Sequence, residues 1–158
     1  MPPKPSAYIE TTIISYLTAL PSRDLVLSAH QQVTHEWWSA RSAFELFVSQ
    51  FVLDEAAAGD SEAAERRLQA VEGIVLLDVT EEAILLAGEL VSGGGLPPNA
   101  RVDALHVAVA AANGMNYLLT WNCKHIANGS SRGRIEELCR AAGFDPPIIC
   151  TPLELMQE

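Results

Sequence analysis

The 158-residue sequence has few cysteines, few basic residues and no long apolar run. Its three cysteines form no CxxC pair, which argues against a disulfide framework or a zinc knuckle and favours a reducing cytoplasm. No run of about 18 apolar residues predicts a membrane span, and the N-terminus has no apolar core typical of a signal peptide. With 10 basic against 20 acidic residues, the net charge of −10 disfavours nonspecific nucleic-acid binding through a basic surface.

The composition is that of a folded protein. Apolar residues make up 49% and charged residues 19% of the chain, a balance that argues against disorder. The length predicts a single domain over residues 1–158, because a domain of this size buries roughly 70% of the surface its unfolded chain exposes. Alternating strand and helix patterns predict an α/β fold with a mostly parallel central sheet covered by helices. Ligands of such folds bind beyond the carboxyl ends of the strands.

Apolar runs, caps and glycines set the predicted boundaries of these elements. Strands are predicted over residues 7–10, 45–49, 74–79, 117–120 and 147–150. Helices are predicted after a cap at Thr11 or Thr12, over residues 23–44, 50–58 and 61–72 (capped by Ser61), after Thr80, and over residues 100–113 and 131–142.

The segment VDALHVAVAAA (102–112) is apolar on all sides, which is typical of a buried helix. Asp103 and His106 are its only polar side chains, and their spacing of three places them on one helix face. A buried carboxylate is costly unless it is paired, hydrogen-bonded or bound to a metal. Each residue is therefore either a structural group with satisfied hydrogen bonds or part of a site.

Two glutamates are further candidates. Glu10 ends the first predicted strand, where an α/β sheet presents reacting groups. In VLDEAAA (52–58), Asp54 and Glu55 point about 100° apart on a helix. Glu55 shares a face with Phe51 and is therefore the better candidate for a cleft. The alternative for both Glu10 and Glu55 is a solvent-exposed surface position.

The segment LLTWNCKHIAN (118–128) follows the fourth predicted strand. Asn122 can offer a neutral oxygen to a metal or hold a water, and His125 and Asn128 can line the same site. The alternative is ordinary turn and cap chemistry, which asparagine favours. Cys123 is a weak candidate for a thiol nucleophile, because no partner histidine is predicted beside it.

Taken in order, the motifs YIETTI, VLDE, DALHVAVA and LLTWN resemble the PIN-domain ribonucleases, specifically the VapC-like toxins of type II toxin–antitoxin systems. The resemblance extends over about residues 7–152. It implies a PIN-like three-layer α/β fold and hydrolysis of RNA phosphodiester bonds with Mg²⁺ or Mn²⁺. It places the catalytic and metal-binding positions on Glu10, Glu55, Asp103 and Asn122. The expected supporting side chains, which orient these groups, are Thr12, Thr120 and His106.

The resemblance also implies a cytoplasmic homodimer held by a cognate antitoxin that inserts a basic side chain near the carboxylates. An RNA substrate needs some positive surface, although solvated surface charge is the alternative for each basic side chain. The basic candidates are Arg66, Arg67, Arg101, Lys124, Arg132 and Arg134. The substrate-contact positions expected nearest the site are Arg101, Lys124, His125 and Asn128. Trp37 and Trp38 are interpreted as one core and one subunit-interface residue, with base stacking as the alternative.

The sequence departs from the family pattern at two positions. Glu10 and Asn122 stand where the family usually has Asp, so one side chain is longer by a methylene and the other lacks a charge. Both keep an oxygen that can bind a metal. A second hypothesis is therefore a non-catalytic PIN-like module that binds RNA or protein without cutting. A phosphatase is disfavoured, because no strand ends in Asp-x-Asp and no GxxxxGK[ST] loop is present.

Overall fold

The computed structural model describes residues 2–156. Its sheet consists of β1 (Ser6–Ile9), β2 (Glu45–Val48), β3 (Val75–Leu76), β4 (Tyr117–Leu119) and β5 (Ile148–Cys150). The helices are α1 (Thr11–Thr18), α2 (Leu25–Ser39), α3 (Gln50–Ala56), α4 (Ser61–Ala70), α5 (Glu81–Ser92), α6 (Arg101–Ala112) and α7 (Arg132–Ala141), with a short 3-10 helix over Arg41–Ala43.

All strand pairs in the sheet are parallel, and the strand order is β3-β2-β1-β4-β5. The predicted α/β fold with a parallel central sheet is therefore confirmed. The chain starts in the middle of the sheet, extends to one edge, and then returns to the other side of β1. The strand order thus reverses between β1 and β4, and the carboxyl ends at such a point form the crevice where α/β folds bind ligands.

The core centres on α6 and the strands beside it. From Ala104 to Ala111, every residue of α6 except Leu105 is buried, as expected from the continuous apolar sequence. The helix ends at Ala112, and Gly114 follows it with a φ of +69°, a left-handed conformation that glycine adopts without strain. No helix within residues 2–156 combines the length and apolar composition needed to cross a bilayer.

Several predicted boundaries differ from the structure. The predicted helix over residues 23–44 is α2 followed by the separate 3-10 helix. The predicted strand over residues 74–79 pairs only at Val75 and Leu76, because β3 is an edge strand with β2 as its single neighbour. Thr80 caps α5 as predicted, but Asp60 rather than Ser61 caps α4.

The cap of α1 is the difference that bears on function. Glu10 rather than a threonine is the N-cap, and its side chain accepts a hydrogen bond from Thr12 N. The predicted Thr11 and Thr12 lie inside the first turn instead. Their hydroxyls are therefore available to bind the glutamate side chains described below.

Candidate active site

Three polar side chains follow the carboxyl ends of the three central strands. Glu10 follows β1, Ser49 follows β2 and Thr120 follows β4. The register pairs Ile9 with Leu119, so Glu10 and Thr120 occupy the next positions along two neighbouring strands. All three side chains are buried, with Glu10 only 3% exposed. The sheet topology therefore brings together groups that are 39 to 110 residues apart.

Two threonine hydroxyls hold Glu10 in place. Thr12 Oγ1 and Thr120 Oγ1 both donate to Glu10 Oε1, at 2.6 and 2.5 Å. The donor direction is fixed, because each hydroxyl also accepts a backbone N–H, from Trp121 and Asn122 respectively. A hydroxyl has a single proton, which leaves it to the carboxylate. Glu10 is thus a buried carboxylate oriented by hydrogen bonds, which excludes the alternative of a solvent-exposed surface position.

Glu55 reaches the same region from α3. Its Oε1 accepts a hydrogen bond of 2.6 Å from Thr11 Oγ1 and lies 2.5 Å from His106 Nε2. Its side chain is 38% exposed, so solvent still reaches it. Burial alone would raise the pKa of Glu55, but the hydrogen bond and charge of His106, together with the Thr11 hydroxyl, lower the pKa below its ordinary value. Glu55 is therefore held in its ionised form.

A chain of buried hydrogen bonds orients His106. Its Nδ1 lies 2.6 Å from the Tyr8 hydroxyl, which lies 2.7 Å from Ser49 Oγ. An ionised carboxylate only accepts, so His106 Nε2 donates to Glu55. The Tyr8 hydroxyl makes the second hydrogen bond of the ring, at Nδ1, and Ser49 Oγ bonds the same Tyr8 oxygen. Both ring nitrogens are occupied and the ring is fully buried, so His106 supports Glu55 through a hydrogen bond.

Asp103 lies in the first turn of α6. Its Oδ2 lies 2.8 Å from His125 Nδ1, and both side chains are 20% exposed. The loop that carries His125 is held by Asn122, whose Oδ1 accepts from His125 N. Asn122 thus takes part in the turn chemistry that was the alternative for this residue. Its role as a metal ligand stays a prediction.

The oxygen-rich side chains suit a hard divalent cation. Ligand atoms of Glu10, Glu55 and His106 all lie within 4.8 Å of one another, and Asp103 falls outside this group. Glu55 Oε2 makes no hydrogen bond within residues 2–156. No lysine or arginine of that range forms an ion pair with Glu10, Glu55 or Asp103. Carboxylate oxygens are the ligands that Mg²⁺ and Mn²⁺ prefer. The residues present therefore fit such an ion.

Three of the six candidate basic residues have structural contacts. Arg67 donates to the carbonyl oxygens of Ala56 and Ala58 and joins α4 to the end of α3. Arg132 and Arg134 also donate to backbone carbonyls. Arg101 and Lys124 are exposed, and Arg101 lines a cavity between α5 and α6. Asn128 donates to the carbonyl oxygens of Cys123 and Lys124 and so shapes its own loop.

Several residues of the site were missed in the sequence. Tyr8, Thr11 and Ser49 complete the hydrogen-bond chains around Glu55 and His106. A Tyr two residues before a strand-end acid points to the same face of the strand, and this spacing was the available signal. Trp37 is in the core, as expected for one of the tryptophan pair, while Trp38 is partly exposed below the Arg41 guanidinium.

A family model decides the identity of the fold. The PIN domain model matches residues 7–122, more than half of the chain. The chain belongs to the PIN domain family. The matched range includes all four positions that the sequence motifs single out: Glu10, Glu55, Asp103 and Asn122.

Structural comparison gives the same PIN fold. A chain in the crystal structure of VapBC2 from Rickettsia felis, bound to a DNA fragment from their promoter, aligns with a TM-score of 0.58 at 17% sequence identity. The alignment covers 92% of this chain and 97% of that chain. At this identity the likeness concerns the fold alone. A search of curated proteins found no significant match.

Proposed function

We propose that this PIN-family chain is a divalent-metal-dependent endoribonuclease and the toxin component of a toxin–antitoxin pair. The observation that carries the proposal is that Glu10 and Glu55 come together at the reversal point of the sheet. Membership of the PIN family supports nuclease chemistry at these positions. The proposed catalytic and metal-binding residues are Glu10, Glu55, Asp103 and Asn122.

Mg²⁺ or Mn²⁺ bound here would polarise a phosphate oxygen and lower the pKa of an attacking water. Glu10 and Glu55 would supply carboxylate oxygens, while Asp103 would bind directly or through a water. The Thr12 and Thr120 hydroxyls keep Glu10 from rotating away from this position. His106 does the same for Glu55. Such supporting hydrogen bonds typically change metal affinity or activity by roughly 10–100-fold.

Basic side chains at the rim would contact the RNA backbone. Arg101 begins α6 two residues before Asp103, and Lys124 lies two residues after Asn122. His125 and Asn128 complete the proposed contact set. The chain carries a net charge of −10, so phosphate contacts of this local kind, rather than a broad basic face, would position the substrate.

The proposed partners are a cognate antitoxin and a second copy of the chain. The comparison structure, VapBC2 with promoter DNA, supports an antitoxin partner by analogy of fold. Side chains with large exposed apolar area, which are candidates for such contacts, include Leu20, Leu25 and Val26 at 78, 81 and 65% exposure. An antitoxin that inserts a basic side chain among Glu10, Glu55 and Asp103 would block the site. The proposed location is the cytoplasm.

A PIN-like module that binds without cutting is the second candidate. The Asp103–His125 pair favours it, because the carboxylate is already engaged within the chain. The asparagine at position 122 favours it too, since an amide binds a divalent cation less strongly than a carboxylate.

Cleavage of a mixed RNA pool by the purified chain separates the two candidates. The assay compares Mg²⁺, Mn²⁺ and EDTA, and it includes Asp103→Asn, which keeps the side-chain shape and removes the charge. Asp54→Asn is the matched control, because Asp54 is an exposed acid that bonds Gln50 on α3. The ribonuclease predicts cutting that EDTA and Asp103→Asn abolish and Asp54→Asn retains. A folded wild-type chain that binds RNA but does not cut it would support the binding module.

A further inference from the structure

Three aromatic rings lie nearly parallel beside the carboxylates. The rings of His30 on α2 and Trp121 after β4 stack, with centroids 4.1 Å apart and planes at 12°. The ring of Tyr16 on α1 lies 6.0 Å from Trp121 and 6.4 Å from His30, with interplanar angles of 12° and 18°. We call this set the aromatic platform.

Hydrogen bonds fix the platform against α2. Trp121 Nε1 donates to Thr34 Oγ1 at 2.7 Å, and that hydroxyl donates to His30 O at 2.6 Å. Trp121 is 7% exposed, whereas Tyr16 and His30 are partly exposed. Trp121 therefore backs the platform, and Tyr16 and His30 provide its accessible surface.

The platform is connected to the candidate metal site. Trp121 N donates to Thr12 Oγ1, the hydroxyl that holds Glu10. Tyr16 lies four residues after Thr12 on α1, so both face the same side of that helix. Burial, followed by the charges of Cys123 and Glu10, raises the pKa of the Tyr16 phenol.

Other aromatic pairs of the described chain have the geometry of core packing, which differs from that of the platform. Trp37 and Phe44 tilt by 35°, and Phe44 meets Tyr117 edge-on at 85°. Tilted and edge-on pairs are common in protein cores. Partly exposed aromatic side chains are instead the groups on which proteins stack unpaired bases of a single strand.

We propose that Tyr16 and His30, backed by Trp121, stack against one unpaired base of an RNA strand whose backbone lies at Glu10, Glu55 and Asp103. This proposal rests on the proposed ribonuclease function. Stacking is tolerant of base sequence and adds binding energy beyond the attraction between basic groups and the phosphate backbone. It therefore suits a chain of net charge −10, in which attraction for the phosphate backbone is weak.

Binding of a short single-stranded RNA, measured by fluorescence anisotropy in an Asp103→Asn background to prevent cutting, tests the platform. Tyr16→Ala and His30→Ala are each expected to weaken binding by roughly tenfold or more. Tyr16→Phe and His30→Phe keep a ring and should bind within a few-fold of the parent. His35→Ala is the matched control, because His35 is an exposed histidine on the same helix.

An abasic site moved along the RNA locates the stacked base. At one position, the missing base should lower the affinity of the Asp103→Asn parent about as much as Tyr16→Ala does. The same missing base should have little further effect on the affinity of the Tyr16→Ala variant. Binding unchanged by both alanine variants, or abasic effects fully additive with Tyr16→Ala at every position, would overturn the platform.

Kinetics separate failure of the platform from failure of the ribonuclease. In the cutting chain, Tyr16→Ala should raise KM for RNA by roughly tenfold while kcat changes little. An unchanged KM in a chain that cuts RNA would refute the platform alone. Coupling between Tyr16 and one base in a chain that never cuts RNA would support the platform and refute the ribonuclease.

Discussion

The Thr120 hydroxyl donates a 2.5 Å hydrogen bond to Glu10, which lies 110 residues earlier in the chain. The same hydroxyl accepts the N–H of Asn122. The Thr12 hydroxyl makes the same pair of bonds: it donates to Glu10 and accepts the N–H of Trp121. The loop after β4 thus orients the acid at the end of β1 through two threonines. Glu10 has its position fixed by the protein before any cation binds.

Replacing Thr120 by valine should weaken metal binding. The variant keeps the side-chain shape but removes the proton donated to Glu10 and the acceptor of Asn122 N–H. We expect Mn²⁺ affinity to fall by roughly 10–100-fold, the usual effect of losing a hydrogen bond that orients a ligand. Calorimetry with Mn²⁺ measures it.

Thr120→Ser is the control for that experiment, because it keeps the hydroxyl and should keep most of the affinity. Thr18→Val removes a hydroxyl that bonds only the Ile14 carbonyl within α1, so it should leave Mn²⁺ binding unchanged. Equal affinities for wild type and Thr120→Val would show that Glu10 needs no such support.

Replacing Tyr8 by phenylalanine should destabilise the fold and weaken the site. The variant leaves His106 Nδ1 and the Ser49 hydroxyl without their buried partner. We expect the free energy of unfolding to fall by about 1–3 kcal/mol, as measured in urea. Because His106 then loses the hydrogen bond that orients its ring, Mn²⁺ affinity should fall as well.

Ser49→Ala separates these two effects. It removes the outer hydroxyl and leaves the Tyr8–His106 contact intact, so Mn²⁺ affinity should change less than in Tyr8→Phe. If Tyr8→Phe lowers stability but leaves Mn²⁺ affinity at the wild-type value, the hydrogen-bond chain is structural only.

Acid should destabilise the protein partly through Glu55. Its ordinary carboxyl pKa is 4.5, and the pKa in the folded protein is lower. The unfolded chain therefore binds the proton more readily. The stability that ionised Glu55 contributes is complete above the unfolded pKa, and it is lost as the pH falls through the folded pKa.

Urea unfolding of the metal-free protein between about pH 6 and about pH 3 checks this expectation. Glu55→Gln cannot ionise, so its free energy of unfolding should fall less steeply over that range. Thr11→Val removes one of the groups that favour the ionised form and should give an intermediate slope. Identical slopes for all three proteins would contradict the inferred shift.

The sequence predicts local features of this fold well. The apolar segment over residues 102–112 identifies α6 because its burial follows from composition alone. The strand-end position of Glu10 likewise follows from a short apolar run and a turn. The face shared by Phe51 and Glu55 follows from helix spacing, and both side chains contact His106.

Features that depend on distant contacts were not predictable in this way. The Asp103–His125 pair and the stacking of His30 on Trp121 join separate elements. Their geometry depends on how the helices pack, and no spacing in the chain encodes it. The cap of α1 was mispredicted for a related reason. Threonine is the common capping residue, but here the Thr12 and Thr120 hydroxyls hold Glu10 in the capping position.

The most direct test of the account compares metal binding and RNA cleavage in one titration. Mn²⁺ is added to metal-free protein, its binding is measured by calorimetry, and the cleavage rate of a defined RNA is followed over the same concentrations. If the chain is a metal-dependent ribonuclease, Mn²⁺ binding and the cleavage rate should rise with the same midpoint. Glu10→Gln should shift both midpoints to higher Mn²⁺ concentration. Cleavage that persists in EDTA, or full Mn²⁺ binding without cleavage, would contradict it.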